Sequence, residues 1–220
     1  MLYLIPTPIG NLKDITLRAL ETLELVEGII CEDTRRTSQL LNHYQINKPL
    51  LVLNDYNEVG QLPKILSALT SGQNLALVSD AGTPLISDPG YKLVRECIAQ
   101  NIPVDSLPGP SSVITALTLS GLPPDKFFFL GYPPEKPGKR VDFFKKLSTT
   151  YNLLPATYIM FVSPHKLLRV LEGMKEVLGD IEVVLAKELT KVYQSVQTKK
   201  ISKWLEKLKS PKGEYILLFR

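Results

Sequence analysis

The segment Leu77–Gly90, which reads LVSDAGTPLISDPG, decides the fold class of the first half of the chain. It opens as an apolar strand, and about ten residues separate that strand from the next helix, where two to six usually suffice. Loops at the carboxyl ends of strands are where open α/β sheets bind ligands. We expect Asp88 to cap the next helix, with Pro89 at its first position. Residues Asp80–Pro84 then have no structural task and form the first candidate site.

Strands and helices alternate on both sides of this segment, which predicts a mainly parallel sheet covered by helices on both faces. A proline-rich stretch over residues 121–140 then separates this lobe from a second series of strands and helices. The sequence therefore predicts an α/β protein with an N-terminal lobe over 1–120 and a C-terminal lobe over 121–220. Two such lobes predict a ligand cleft between them.

Composition narrows the class of protein. Apolar residues make up 44% of the 220 positions and charged residues 22%, which is typical of a globular protein. No apolar run approaches the roughly 18 residues of a membrane span, and the N-terminus lacks the features of a signal peptide. Cys31 and Cys97 match no metal-site spacing and indicate buried thiols. We expect a cytoplasmic protein with no membrane segment and no metal.

Charge is divided unevenly along the chain. The first 110 residues carry 8 basic and 12 acidic side chains, whereas the remaining 110 carry 18 and 10. Basic clusters at Lys136–Arg140 and Lys199–Lys200 favour a phosphate-bearing partner for the second half, with solvated helix faces as the alternative.

A second candidate loop reads EDTRR over Glu32–Arg36. Asp33 or Thr34 can cap the helix that begins there, but adjacent arginines in a first helical turn gain nothing from the helix dipole. We therefore predict that Arg35 and Arg36 bind phosphate and that a neighbouring carboxylate orients them.

Two other loops of the first half suit a polar ligand. Pro6–Leu12 contains Gly10, which permits close backbone approach. Pro108–Ser112 offers amides and hydroxyls at a helix start, which suit a carboxylate or a ribose. Neither a P-loop nor a dinucleotide-binding glycine motif occurs, so an ordinary nucleotide-phosphate cradle is not expected.

In the second half, Lys187 and Glu188 end an apolar strand and point to opposite faces, so one of them is expected to face the ligand. His165 lies in the first turn of a helix, where it is either structural or a proton carrier. No serine or cysteine partner stands at a recognisable spacing, so a hydrolytic triad is unsupported.

Seven motifs, taken in order, resemble the tetrapyrrole-methylase-like superfamily of S-adenosylmethionine (SAM)-dependent methyltransferases. The closest resemblance is to the branch of 16S ribosomal RNA (cytidine 2′-O)-methyltransferases, which methylate a ribose 2′-oxygen of the small-subunit RNA. The motifs lie at Thr7–Leu12, Glu32–Arg35, Ser79–Pro84, Ser87–Gly90, Pro108–Ser111, Ser163–His165 and Glu188–Lys191.

The resemblance implies a mixed sheet in the second lobe, SAM in the cleft and a homodimer acting on the small ribosomal subunit. It implies that SAM binds first-lobe residues Pro8, Asp80, Ala81, Gly82, Thr83, Ser111 and Ser112. From the second lobe it implies Ser163, Ala186, Leu189 and Gly213.

Methyl transfer to a hydroxyl needs a group that accepts the hydroxyl proton. Glu188, Asp33 and His165 are the candidates, and Lys187 could stabilise a developing alkoxide. We expect the RNA to contact Arg35, Arg36, His165, Lys139 and Arg140.

Two departures from the family pattern bear on activity and on RNA binding. Val162 stands where the family carries an acid, and the basic C-terminal extension of longer members does not follow Arg220. They favour, as one alternative, a non-catalytic relative that binds SAM or RNA. The other alternative is a tetrapyrrole or corrin C-methyltransferase on the same fold.

Overall fold

The structure is a computed structural model that describes residues 1–153 and 155–220, with side chains except those of residues 150–153. Packing divides the chain into two compact units, Met1–Ser111 and Ser112–Arg220. The sequence predicts this boundary after residue 120. The predicted and observed boundaries differ by the helix Ser112–Ser120, which packs on strands of the second unit.

The first unit is a five-stranded parallel sheet with helices on both faces. Its strands are β1 (Leu2–Ile5), β2 (Gly28–Cys31), β3 (Leu50–Val52), β4 (Leu75–Val78) and β5 (Val104–Ser106), and its helices are α1 (Leu17–Leu25), α2 (Thr34–His43), α3 (Glu58–Thr70) and α4 (Tyr91–Ala99). Alternate strand residues enter two separate apolar clusters, one with α3 and α4 and one with α1 and α2. This arrangement confirms the predicted parallel sheet.

The strand order β3-β2-β4-β1-β5 contains a switch point. The connection from β1 leads past β4 to β2, whereas the connection from β4 leads past β1 to β5. The helices that follow these two neighbouring strands, α1 and α4, lie on opposite faces of the sheet. Open α/β sheets bind ligands beyond the carboxyl ends of the strands at such a point, and the loop after β4 is the Asp80–Pro84 segment.

The second unit is built on a mixed sheet of order β6-β7-β10-β8-β9, in which only β6 and β7 are parallel. The strands are β6 (Phe127–Phe129), β7 (Thr157–Val162), β8 (Glu182–Lys187), β9 (Ser195–Lys200) and β10 (Tyr215–Phe219), and the helices are α5 (Ser112–Ser120), α6 (Pro137–Leu153), α7 (Leu167–Leu178) and α8 (Ile201–Lys207). The main core joins α6, α7 and α8 to β7, β8 and β10. Both sheets confirm the predicted fold class.

The expected cap by Asp88 is wrong. Helix α4 begins at Tyr91, and its N-cap is Gly90 with φ of 112° and no side-chain hydrogen bond. The loop before it turns through left-handed backbone at Leu85 (φ 72°) and Ser87 (φ 68°), which moves the helix start past Asp88. The Asp88 carboxyl therefore makes no capping hydrogen bond to α4, and its charge interacts with those of Glu32 and Asp80.

Across the described ranges, no helix is both long and apolar enough to span a bilayer. The same residues contain no cluster of three histidine, cysteine or acidic side chains arranged to hold a metal ion.

Gly90→Ala should destabilise the protein by about 1–3 kcal/mol, because φ is positive and the new Cβ would lie 2.7 Å from Leu77 Cδ2. Gly60→Ala is the matched control, since Gly60 lies inside α3 and a Cβ there meets no atom within 4 Å. That control should stabilise by about 0.5–1 kcal/mol. Urea unfolding measures the free energy of unfolding of both variants. Equal midpoints for the two would contradict backbone strain at an alanine in position 90.

Candidate functional site

Three loops of the first unit are tied together at the carboxyl edge of the sheet. Thr7 and Gly82, which follow β1 and β4, exchange two backbone hydrogen bonds of 2.9 Å each. The Thr7 hydroxyl donates to the Ser79 carbonyl at 3.0 Å, and the Thr83 hydroxyl donates to the Pro110 carbonyl at 3.0 Å. The loops after β1, β4 and β5 therefore form one connected surface.

Two glycines make this close approach possible. Gly82 has φ of 86°, and a Cβ there would lie 3.2 Å from Ile9 Cγ2. Gly109 lies against Pro6, where an added Cβ would come within 2.8 Å of the proline Cβ. The predicted ligand loops thus depend on glycine to touch one another.

Asp80 occupies this surface with one oxygen paired and one unpaired. Its Oδ2 lies 3.4 Å from Arg36 Nε. Its Oδ1 is buried and accepts no hydrogen bond from the residues that the structure describes. Burial raises the pKa of the Asp80 carboxyl, and the Arg36 charge opposes that rise. A ligand that donates a hydrogen bond or carries positive charge would satisfy the unpaired oxygen.

Asp88 and Glu32 extend the acidic character of this edge. Burial, followed by the charges of Glu32 and Asp80, raises the pKa of Asp88 to about 6. Burial and the Asp80 charge also raise the pKa of Glu32. These carboxyls disfavour one another's ionised forms, so the edge favours cationic groups and holds protons to unusually high pH. Sequence reasoning missed the role of Asp88 because it assigned that side chain to a cap.

The Asp33 carboxylate is hydrogen-bonded within the first turn of α2, the helix that it caps. Its Oδ1 accepts from the Arg35 backbone amide at 2.9 Å and from Arg35 Nε at 3.0 Å, while Oδ2 accepts from Arg35 Nη2 at 2.7 Å. These hydrogen bonds lower the pKa of Asp33 to about 2. Such a carboxylate is a weak proton acceptor, which argues against Asp33 as the base. The Arg35 side chain is 87% exposed despite this pair.

In the second unit, the Glu188 carboxylate joins the turn after β8 to the turn before β10. It lies at φ of 50°, and its Oε1 accepts from the Glu214 amide at 2.8 Å and from Lys191 Nζ at 3.2 Å. Gly213 (φ 90°) packs so closely that a Cβ would lie 2.8 Å from Glu188 Cδ. The Glu214 amide is the main cause of the lowered pKa of Glu188. The structure therefore supports a positioning task for Glu188 over proton acceptance.

Unpaired hydroxyls lie near the predicted second-lobe positions. Ser163 Oγ and Thr190 Oγ1 are buried without a hydrogen-bond partner in the described part of the chain. Ala186 and Leu189 are buried. Lys187 Nζ lies 5.8 Å from the centroid of the Tyr215 ring. Sequence reasoning missed Thr190, although it quoted the turn that contains it.

The remaining first-unit positions named for the cofactor lie in the loops after β1, β4 and β5. Pro8, Thr83 and Ser111 are half-buried, and Ala81 is exposed. Ser112, which begins the second unit, is also half-buried.

The predicted RNA contacts separate into two kinds. His165 and Lys139 are exposed. Arg140 is only 8% exposed, and its Nη1 donates to the Glu135 carbonyl at 2.9 Å. Its guanidinium therefore holds the loop before α6, and this burial corrects the expectation of an RNA phosphate contact.

The family departure at Val162 is accommodated by packing. The side chain lies in the apolar core of the second unit and is 2% exposed. Four residues later, Lys166 pairs with Glu135 of the loop before α6. A valine at this position suits an interior of hydrocarbon side chains.

Comparison with known proteins places this geometry in a family. Residues 1–204 match the family model of tetrapyrrole (corrin/porphyrin) methylases. Ribosomal RNA small subunit methyltransferase I of Escherichia coli O157:H7 is 47% identical, with 99% of this chain and 76% of the relative covered. The chain belongs to the tetrapyrrole methylase family, in the branch of ribosomal RNA small subunit methyltransferase I.

Other relatives agree. Ribosomal RNA small subunit methyltransferase I of Mycoplasmopsis pulmonis is 46% identical over 99% of this chain and 96% of that relative. Among solved structures, diphthine synthase superposes with a TM-score of 0.72 at 14% identity, covering 99% of this chain and 88% of that one. Cobalt precorrin-4 methyltransferase gives 0.70 at 16% identity, covering 99% and 93%. At such low identity the two structures support the fold alone.

The raised pKa of Asp88 predicts a pH-dependent stability. The pKa of this carboxyl is ordinarily 3.8 and is about 6 in the folded protein, so folding favours the protonated form. The resulting stabilisation is fully present below about pH 4 and is lost as the pH rises through 6. Asp88→Asn keeps the neutral shape and should flatten this fall, as measured by urea midpoints from pH 4.5 to 7.5. Asp125→Asn, at an exposed position, should leave the fall intact. An unchanged slope in Asp88→Asn would contradict the buried carboxyl.

Proposed function

We propose that this chain transfers the methyl group of SAM to a ribose 2′-hydroxyl of small-subunit (16S) ribosomal RNA. The observation that carries the proposal is the 47% identity to a ribosomal RNA small subunit methyltransferase I along almost the whole chain. The corrin methyltransferase among the structural neighbours is only 16% identical, so it gives the alternative substrate little support.

The polar atoms of the first unit fit SAM as the cofactor. SAM carries an ammonium group and two ribose hydroxyls, all of which donate hydrogen bonds, and Asp80 Oδ1 is a buried acceptor that lacks a donor within the described residues. Ser163 Oγ and Thr190 Oγ1 are further unsatisfied groups in the second unit. When bound, SAM supplies a methyl group already activated by its sulfonium. Contact of SAM with the other positions named from the sequence stays a prediction. These positions are Pro8, Ala81, Gly82, Thr83, Ser111, Ser112, Ala186, Leu189 and Gly213.

The chain's own task is to position the acceptor hydroxyl. Well-oriented reactants can lower a barrier by roughly 7–11 kcal/mol through positioning alone. Arg35 and Arg36 stand in the first turn of α2, and the ion pair from Arg36 to Asp80 joins that turn to the loop after β4. We assign these arginines to the RNA backbone and expect the target nucleotide to be unpaired, since enzymes that read single RNA bases need them splayed from the helix.

Proton removal is assigned to neither Asp33 nor Glu188. Both carboxylates accept backbone hydrogen bonds, and both have lowered pKa values. His165 stays a predicted proton carrier or RNA contact, and Lys187 stays predicted to stabilise the developing alkoxide. Lys139 stays a predicted RNA contact.

We also propose a cytoplasmic homodimer without a metal. Cys31 and Cys97 are free and buried, which supports a reducing compartment. Sedimentation of the purified chain measures the assembly state.

The first test incubates the protein with labelled SAM and small ribosomal subunits that lack ribose methylation. Label in alkali-resistant dinucleotides is expected, because a 2′-O-methyl group blocks cleavage of the adjacent phosphodiester. A porphyrinogen supplied in parallel tests the corrin-type alternative. Label in porphyrinogen and none in RNA would overturn the proposal, and SAM binding with no transfer would identify a non-catalytic relative.

Asp80→Ala should lower SAM affinity about ten-fold or more, since hydrogen bonds to charged groups contribute about 1.5–3 kcal/mol. Calorimetric titration with SAM measures the change. Asp125→Ala removes a similar charge from an exposed position of the second unit and should bind SAM as the wild type does. Equal affinity of Asp80→Ala and wild type would remove the loop after β4 from the cofactor site.

A further inference from the structure

Lysines converge on a tryptophan in the second unit. The Trp204 ring of α8 is 4% exposed, and its Nε1 donates to the Val183 carbonyl of β8 at 3.1 Å. Lys199 Nζ lies 5.7 Å and Lys207 Nζ 5.6 Å from the centroid of this ring. We call Lys199, Lys207 and Trp204 the Trp204 patch. Two cationic groups thus share one fixed aromatic platform.

Topology explains why these lysines meet. Strand β9 is the edge of its sheet, and Lys199 stands opposite Val183, whose side chain enters the core beside Trp204. The Lys199 side chain therefore leaves the sheet on the face that α8 covers. One turn along α8 from Trp204, Lys207 reaches back to donate to Gln197 Oε1 of β9 at 3.0 Å.

Some lysines of this fold are neutralised by carboxylates. Lys92 pairs with Glu58 at 2.6 Å, and Lys191 pairs with Glu214 at 2.9 Å. By contrast, neither Lys199 nor Lys207 forms an ion pair with any carboxylate in residues 1–153 and 155–220. A cation on a ring gains about 0.5–1 kcal/mol at an exposed site, but the ring leaves the positive charge of each ammonium group unneutralised.

The surrounding sequence adds to this positive charge. Residues 195–212 carry six lysines and one acidic side chain, Glu206, which gives a local net charge of +5 against +4 for the whole chain. Lys200, Lys203, Lys209 and Lys212 are exposed. An anion beside Lys199 and Lys207 would neutralise their charges, and a polyanion would gain from the whole segment.

We propose that the Trp204 patch binds the phosphate backbone of the ribosomal RNA substrate, in addition to Arg35 and Arg36 of the first unit. The proposal rests on the proposed function. Lysine ammonium groups bind phosphates as point charges without reading sequence, so this contact supplies affinity and orientation while the target nucleotide is chosen elsewhere. Release of counterions from RNA makes such binding depend steeply on salt.

The test compares salt dependence among matched variants. Binding to deproteinised 16S ribosomal RNA is measured over a range of salt concentrations for the wild type and for Lys199→Gln with Lys207→Gln. The slope of log affinity against log salt should fall in magnitude by about 0.7–0.9 for each lysine that contacts a phosphate. Lys199→Arg with Lys207→Arg keeps both charges and should restore the slope. Lys64→Gln with Lys175→Gln removes the same charge from two other exposed helix positions and should leave the slope unchanged.

The outcomes separate this proposal from the proposed function. An unchanged slope in the Lys199→Gln, Lys207→Gln variant would overturn the Trp204 patch as an RNA contact, even if the wild type methylates RNA. A loss of binding to small subunits with no loss of binding to free RNA would also overturn it and indicate a protein contact. Wild-type protein that binds RNA with the expected slopes and transfers no methyl group would overturn the proposed function alone. SAM titration and circular dichroism of each variant exclude misfolding as the cause of a changed slope.

Discussion

The paired backbone hydrogen bonds between Thr7 and Gly82 are the constraint on which the first-unit site depends. Parallel strands β1 and β4 end side by side, and their chains then lead away in opposite directions. The bridge keeps the two loops in contact beyond the end of the sheet. The Ser79 hydroxyl, which donates to the Gly82 carbonyl at 2.8 Å, closes the turn that contains Asp80. Because the backbone is held on both sides, the Asp80 carboxylate has a defined position.

Holding these loops together also concentrates negative charge. Asp80, Asp88 and Glu32 all have raised pKa values, with burial as the largest cause of each. Arg36 offsets part of the repulsion, but it meets Asp80 at 3.4 Å and only through Oδ2. The ligand-free edge is therefore less stable than it would be with another donor present. A cationic ligand that binds the folded state would stabilise it by mass action, so the same electrostatic strain that weakens the loop favours ligand binding.

Much of the fold could be predicted because apolar runs mark the buried strands. Strands Leu2–Ile5 (LYLI) and Tyr215–Phe219 (YILLF) are such runs. Side-chain partners were harder to predict, since they depend on contacts between distant or strained segments. Asp88 looked like a cap because its sequence context suits one, whereas the left-handed turns at Leu85 and Ser87 move the helix start past it. Helix α5 likewise gives no sign in its sequence of which sheet it covers.

The basic clusters show how burial divides residues that look alike in sequence. Arg140 carries a planar donor group that can satisfy backbone carbonyls, and Glu135 and Pro134 supply them inside the second unit. Lys199 is half-buried, with its Nζ 5.7 Å from the centroid of the Trp204 ring, and it forms no ion pair with the described residues. The arginine therefore stabilises a loop, while the lysine keeps its charge available to a partner. Charge counted along the chain indicates a polyanionic partner, but only the location of each side chain shows which charges that partner can reach.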